Sequence, residues 1–427
     1  MPEVVYVLNK DGHPLMPTER HGKVRRMLRN GDAKVVRRCP FTIQLLYEAE
    51  DKVQEITLGV DSGSRKIGLS ATTESRVLYE SEVELRNDIV ELLATRRELR
   101  RSRRNRKTRY RRPRFSNRTR PEKWLAPSVS QKVQTHLTAV DNVCRILPIL
   151  IIVIETASFD IQKIRNPEIS GKGYQQGDQL DFWNVREYVL FRDGHTCRCC
   201  KGKSRDQILN VHHIESRRKG GDAPNNLVTL CETCHTKYHS GEVQLPDSIR
   251  RGAKFNDAAF MGIMRWFVYD ALKEKYPNVS HTFGYITKNT RIQNSLPKGH
   301  CIDARCISGH PAARSPGVIY YQKKIRCHNR QIHKQKILKG GARKLNQAPY
   351  MVKGFRLFDK VCCRGTECFV FGRRSSGYFD IRKLDGTKVH AGISCKKLRL
   401  LEACKHYLTE RRMAIPPRPV EVGVSLP

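Results

Sequence analysis

Residues 55–85 read EITLGVDSGSRKIGLSATTESRVLYESEVEL. Three runs within it, EITLGVDSG, KIGLSATT and RVLYESEVEL, alternate apolar and polar residues. A period of two is the mark of strands with one buried face. The stretch therefore predicts a three-stranded meander. Asp61 closes the first strand, and SGSRKIGLS is a tight turn into the second.

Outward from this meander, residues 128–145 place Val129, Val133, Leu137, Val140 and Val143 at helical spacing. That helix feeds ILIIVIET at 149–156, a buried strand ending in Glu155. If this strand lies parallel and next to the first, Asp61 and Glu155 emerge at one sheet edge. Farther on, KGHCIDA sets His300 and Asp303 three residues apart, on one face of a helix starting near Lys298. Together these residues could hold two divalent cations, and hard oxygen ligands suit Mg²⁺ or Mn²⁺. A DxG after an apolar strand is common alone, as is a Glu after a buried one. The order Asp, then Glu, then His with Asp carries the weight, and it resembles the RuvC branch of RNase H-like nucleases.

Between Glu155 and His300 lies a second constellation. Cys197 and Cys200 pair with Cys231 and Cys234 as two CxxC knuckles, a set suited to structural zinc, with Cys199 as an alternative ligand. Within and after the knuckles come His212, His213, Asn226, His235 and His239. Adjacent strand residues point to opposite faces, so one of the paired histidines can meet metal and the other substrate. His235 and His239 share a helix face. The set resembles the ββα-metal finger of HNH nucleases. That resemblance makes His213 the general base and Asn226 the residue that fixes its loop. It also makes His212, His235 and His239 the ligands of one divalent cation, expected as Mg²⁺.

Lysine and arginine number 80 against 42 acidic residues, a net charge of +38. An excess of that size reads as a nucleic-acid footprint. It concentrates at residues 96–114, RRELRRSRRNRKTRYRRPR. There Arg96, Arg97, Arg100, Arg101, Arg103, Arg104, Arg106, Lys107, Arg109, Arg111, Arg112 and Arg114 face a single acid, Glu98. The block continues a helix starting at Asp88, with Glu91 in capping-box position, and a helix charged on every side needs a partner. The longest apolar run, LPILIIVI at 147–154, is too short to span a bilayer. A soluble, cytoplasmic, nucleoid-associated protein of a prokaryote is expected. Other segments predict strands at VVYVLNK and FTIQLLYE, a basic helix near 19–29 stopped by Gly31, and a helix over 256–275. HTFGYIT is apolar-patterned, and the last eighty residues alternate as short strands. The spacing of Cys362, Cys363, Cys368 and Cys395 suits buried thiols better than a second metal site.

A RuvC-like nuclease split in three, with an arginine-rich helix after its first piece and an HNH domain before its third, resembles the IscB family. These are transposon-associated, RNA-guided relatives of the large CRISPR effector nucleases. RRSRR at 100–104 matches the RRxRR signature, HPLMP at 13–17 the PLMP element, and NPEISGKGYQQG at 166–177 the linker before HNH. The resemblance implies an α/β architecture of seven segments. These are a PLMP module (1–52), the first RuvC segment (53–86), a bridge helix (87–118) and the second RuvC segment (119–180). HNH (181–246), the third RuvC segment (247–325) and a β-rich target-motif module (326–427) follow. It further implies a metal-dependent double-strand DNA endonuclease, monomeric in a ribonucleoprotein with a structured guide RNA. HNH would cut the guide-paired strand, and RuvC, through Asp61, Glu155, His300 and Asp303, the displaced one. An unguided HNH endonuclease of the homing or restriction type would need its own base-reading element, and none is evident.

Overall fold

The computed structural model describes residues 4–50, 53–105, 124–156, 182–216, 222–252, 256–326, 336–337, 343–344 and 349–414. The chain divides into two compact units, Met1–Ala157 with Met261–Pro427, and Ser158–Phe260.

The first unit opens with β1 (Val5–Leu8), β2 (Pro14–Thr18), α1 (His21–Asn30), β3 (Ala33–Arg37) and β4 (Thr42–Leu45), in a sheet ordered β2-β1-β4-β3. The basic helix stops at Gly31, whose φ of 81° is the left-handed cap that glycine adopts without a Cβ clash. Then come β5 (Thr57–Ser62), β6 (Lys66–Thr72) and β7 (Val77–Glu84), the meander, antiparallel at both pairings. α2 (Ile89–Asn105) follows. The capping box expected at its start is replaced: the Asp88 carboxylate accepts from Arg86 Nε at 2.9 Å. α3 (Pro127–Cys144) leads into β8 (Ile151–Thr156).

The chain then builds the second unit with α4 (Val185–Arg192), β9 (Leu209–His213), β10 (Leu227–Cys231) and α5 (Glu232–Ser240). It continues through α6 (Asn256–Lys275) to β11 (Val279–Phe283), α7 (Gly284–Gln293), α8 (His300–Ile307) and β12 (Val318–Lys324). The apolar pattern of HTFGYIT thus divides: its first residues finish an edge strand and the rest open a helix that periodicity over so short a run cannot distinguish.

One sheet of seven strands organises the first unit, in the order β11-β8-β5-β6-β7-β12 with Tyr407–Met413 beyond. β8 runs parallel to β5, with Val60 opposite Ile154. Leu58, Val60, Ile67 and Leu69 on one face are completely buried, and each such side chain contributes roughly 1.5–3 kcal/mol. The other face offers Gly59, Asp61 and Gly68, with Asp61 opposite Gly68. A Cβ on Gly59 would lie 1.9 Å from Ala304 O, and one on Gly68 1.9 Å from His300 O. Two glycines therefore let the α8 backbone rest directly on β5 and β6. Arg305 of α8 is held by buried Glu80 of β7, and Ser308 by Thr72 at 2.8 Å. These ties set where His300 and Asp303 stand.

A separate antiparallel sheet takes in Lys360–Cys363, Thr366–Arg373, Tyr378–Arg382, Lys388–Ser394 and Arg399–Glu402. Cys363 and Cys368 are buried in its core with Val361, Val370, Phe379 and Ile381, while Cys362 and Cys395 are half-buried.

Candidate functional site

Two clusters of titratable side chains occupy different units. In the first unit Asp61 on β5 and Glu155 on β8 lie on neighbouring parallel strands, at one edge and nearly buried. Ser62 Oγ ties the strands by donating to Glu155 O at 2.7 Å. α8 brings His300 Nδ1 to 2.7 Å from Asp61 Oδ2. Asp303, one turn on, is 3.0 Å from Arg291 Nε of α7. Glu155 meets Arg265 Nη2 of α6 at 2.9 Å, and Arg265 Nε donates to Ser62 O at 2.9 Å. Glu155 and Asp303 thus each face an arginine from a different helix, and Asp61 faces the His300 imidazole. The set of four is consequently not drawn together to the 4.8 Å spread of the two metal-type clusters among the described residues.

Burial, reinforced by the neighbouring Asp61 charge, raises the Glu155 and Asp303 carboxyls, with Arg265 and Arg291 respectively opposing. The hydrogen bond to Asp61 raises His300 against burial. A divalent cation would offset both the burial and the added Asp61 charge, and an oxygen-rich set fits Mg²⁺ or Mn²⁺.

In the second unit β9 and β10 pair antiparallel, with Val228 opposite His212 and Leu227 opposite His213. The Sγ atoms of Cys197, Cys200, Cys231 and Cys234 all lie within 4.8 Å of one another. Cys200 Sγ and Cys231 Sγ are 3.9 Å apart, close to the edge of about 3.8 Å that a zinc tetrahedron with ~2.3 Å bonds requires. The four thiols fit zinc, and Cys199 stands outside the group. The unit's own core is small, around Val228 and Leu230, so a metal staple suits it.

His212, His235 and His239 form the other cluster, their ring nitrogens within 4.8 Å and His235 Nε2 3.3 Å from His239 Nε2. His212 Nε2 is buried with no hydrogen-bond partner. Burial, then the two other rings, lowers His212 to about 4, so it is a neutral nitrogen donor. Three imidazoles suit zinc, nickel or cobalt, whereas Mg²⁺ selects oxygen. The Mg²⁺ expected at these histidines does not fit this donor set.

His213 points the other way along the strand, with Nε2 2.9 Å from Asp222 Oδ1. Asn226 is completely buried and clamps the loop after β9 from both sides. Its Oδ1 accepts from Glu215 N and its Nδ2 donates to Glu215 O, each at 2.9 Å.

Of the basic block, Arg96, Arg97, Arg100 and Arg101 lie exposed on α2. The helix backbone passes Arg103 and Arg104, and Arg106, Lys107, Arg109, Arg111, Arg112 and Arg114 lie outside the described residues. Sequence reasoning missed Arg265, Arg291 and Asp222. An arginine inside the apolar run MGIMRWFV was a signal for the first, since charge enters a core only with a partner. The others depend on contacts across the fold. No helix among the described residues is long and apolar enough to cross a membrane.

Residues 5–177 match the RRXRR protein family, and residues 197–241 match HNH endonuclease. Among curated proteins, anaredoxin of Nostoc sp. (strain PCC 7120 / SAG 25.82 / UTEX 2576) is 49% identical over 37 residues. That is 8% of this chain and 49% of anaredoxin, so the chain spans about half the length of this relative. Crystal structures of Streptococcus thermophilus Cas9 with the GGAA PAM and with the AGGA PAM align at TM-scores of 0.32 and 0.33. The identities are 16% and 15%, over 52% and 51% of this chain and 31% of each Cas9 chain. The chain thus joins an RRXRR region over residues 5–177 to an HNH endonuclease domain over residues 197–241.

Proposed function

We propose that the protein is an RNA-guided endonuclease that cuts both strands of DNA, one at each cluster. The observation that carries this reading is the placement of two chemically different hydrolytic sets on two units of one chain. His213 with Asp222 and Asn226 forms one, and Asp61, Glu155, His300 and Asp303 the other. Two antiparallel strands need two centres.

In the second unit His213 is the general base. Nε2–H donates a hydrogen bond to Asp222, which leaves Nδ1 free to take a proton from water, while Asn226 holds the loop that keeps the ring in place. Cys197, Cys200, Cys231 and Cys234 hold structural zinc, and His212, His235 and His239 hold a cation of the zinc class. This centre cuts the guide-paired strand.

In the first unit, a RuvC-type domain split in three, Asp61, Glu155 and Asp303 would hold Mg²⁺ or Mn²⁺, Glu155 and Asp303 in exchange for their present partners Arg265 and Arg291. Bound there, such ions would supply charge stabilisation for phosphodiester hydrolysis. His300, bonded to Asp61, is placed to move a proton at that edge. This centre cuts the displaced strand. The arginine block binds guide RNA and the guide–target duplex, base pairing reads the sequence, and residues 326–427 test a short flanking motif. One chain acts per ribonucleoprotein.

The test is strand-specific nicking with the guide RNA that copurifies from cells carrying the native flanking DNA. Asp61→Ala is expected to cut only the paired strand and His213→Ala only the displaced strand. Loss of both cuts from either change would refute two independent centres. Copurification of heterogeneous RNA would favour an unguided HNH endonuclease.

A further inference from the structure

Beside Glu155 the first unit carries a row of aromatic rings that the hydrolytic reading leaves without a role. Trp266 and Tyr269 of α6 contact His281 of β11 at centroid distances of 5.3 and 5.1 Å. His281 contacts Phe283 at 5.5 Å, two residues on and on the same face of the strand. Phe283 lies parallel to Tyr285, 6.1 Å between centroids and 10° between planes. Phe283 is 37% exposed and Tyr285 66%.

Among the described residues β11 is the last strand at its edge of the sheet, so the row stands at that margin. Thr282, between His281 and Phe283, is the residue opposite Glu155, so those two rings project from the other face and the row reaches the carboxylate only through its backbone. Gly284 separates Phe283 from Tyr285, and a Cβ there would lie 3.2 Å from Glu155 Oε1. The glycine brings the α7 backbone against that carboxylate, and its two chain neighbours carry the stacked rings. Residues 279–300 contain Lys288, Arg291 and Lys298 and no Asp or Glu. Arg291 is taken by Asp303, but Lys288 and Lys298 share this stretch with the exposed rings, a combination that suits a polyanion with π-faces to offer.

We infer that Phe283 and Tyr285 form a stacking platform for single-stranded nucleic acid, delivering a phosphate to the edge occupied by Asp61 and Glu155. Every base has a π-face, so stacking grips a strand without reading its sequence. That is what a guided enzyme needs for its displaced strand. Duplex DNA offers no free faces, so the platform accepts the strand only after unwinding. The inference rests on the proposed role of the Asp61–Glu155 edge.

Single strands carrying 2-aminopurine, whose fluorescence is quenched by stacking, test this with the full guided protein and Ca²⁺ in place of Mg²⁺. Wild type is expected to quench the probe. The double variant Phe283→Ala, Tyr285→Ala is expected to lose the quench and bind the strand about tenfold more weakly per ring. With Mg²⁺ restored it should cut the displaced strand at least about tenfold more slowly, with the paired strand cut at the wild-type rate as a check on folding. Phe283→Trp keeps a face and should keep both quench and rate. A double variant that quenches and cuts as wild type does overturns the platform, as does a patch that retains a protein partner and no nucleic acid. If wild type quenches through these rings but leaves the displaced strand whole in Mg²⁺ and Mn²⁺, the platform stands and the reading of the carboxylate edge falls.

Discussion

At the scale of single residues, His136 on α3 shows what the carboxylate edge demands of its surroundings. Its ring is completely buried, Nδ1 donates to Lys132 O at 2.8 Å, and Nε2 has no partner. Burial pushes it from 6.5 to about 4, with the Lys132 bond and Asp61 opposing. Protons therefore bind the unfolded chain first. The stability held above pH ~6.5 falls as pH drops towards ~4, and one such group accounts for roughly 3 kcal/mol. His136→Leu should lose some of that acid sensitivity. The melting temperature measured at pH 7 and pH 5 is expected to fall less in the variant than in wild type. An equal fall in both would mean that His136 takes up its proton without opening the fold.

At the scale of elements, the decisive contact is helix on sheet. Gly68→Ala would put a methyl 1.9 Å from His300 O, in backbone that cannot rotate away. α8 must lift, taking His300 and Asp303 with it. Overpacking of this kind costs about 1–3 kcal/mol, and a displacement near 1 Å at reacting groups about 10²-fold in rate. On the proposed division between the two centres, cutting of the displaced strand should fall by that factor while cutting of the paired strand persists; assays with each strand labelled separately decide it. Undiminished cutting of the displaced strand would show that α8 does not set the geometry. Much of this was legible in order along the chain. Period-two alternation located β5, β6 and β7, and the apolar run before Glu155 located β8, because sheet burial writes itself into local pattern. The pairing of Arg265 with Glu155 and of Arg291 with Asp303 was not legible, since each joins segments that only the finished fold brings together. α7 was hidden for the opposite reason. Its first turn continues the apolar pattern of β11, and a short apolar run has no period to betray the change.

At the scale of the whole molecule, charge is the feature that no fold requires. A net charge of +38 opposes compaction through self-repulsion, which a bound polyanion relieves. Arg96, Arg97, Arg100 and Arg101 stand exposed on α2, and Val90 and Leu93 of the same helix are exposed as well. This helix therefore gains little from packing on its own chain and much from phosphates. If the block contacts ~6–10 phosphates, affinity for guide RNA should fall by about 10³–10⁵ between 50 and 200 mM salt. Each phosphate contact adds about 0.7–0.9 to the slope of log affinity against log salt. Replacing these four arginines by glutamine should therefore flatten the slope by about 3–4. Filter binding of the copurified RNA over that salt range measures it. A slope that does not change would place the phosphates elsewhere and leave α2 as a solvated helix. A slope flattened as expected, with the melting temperature of the free protein unchanged, would show that these charges serve the RNA and not the fold.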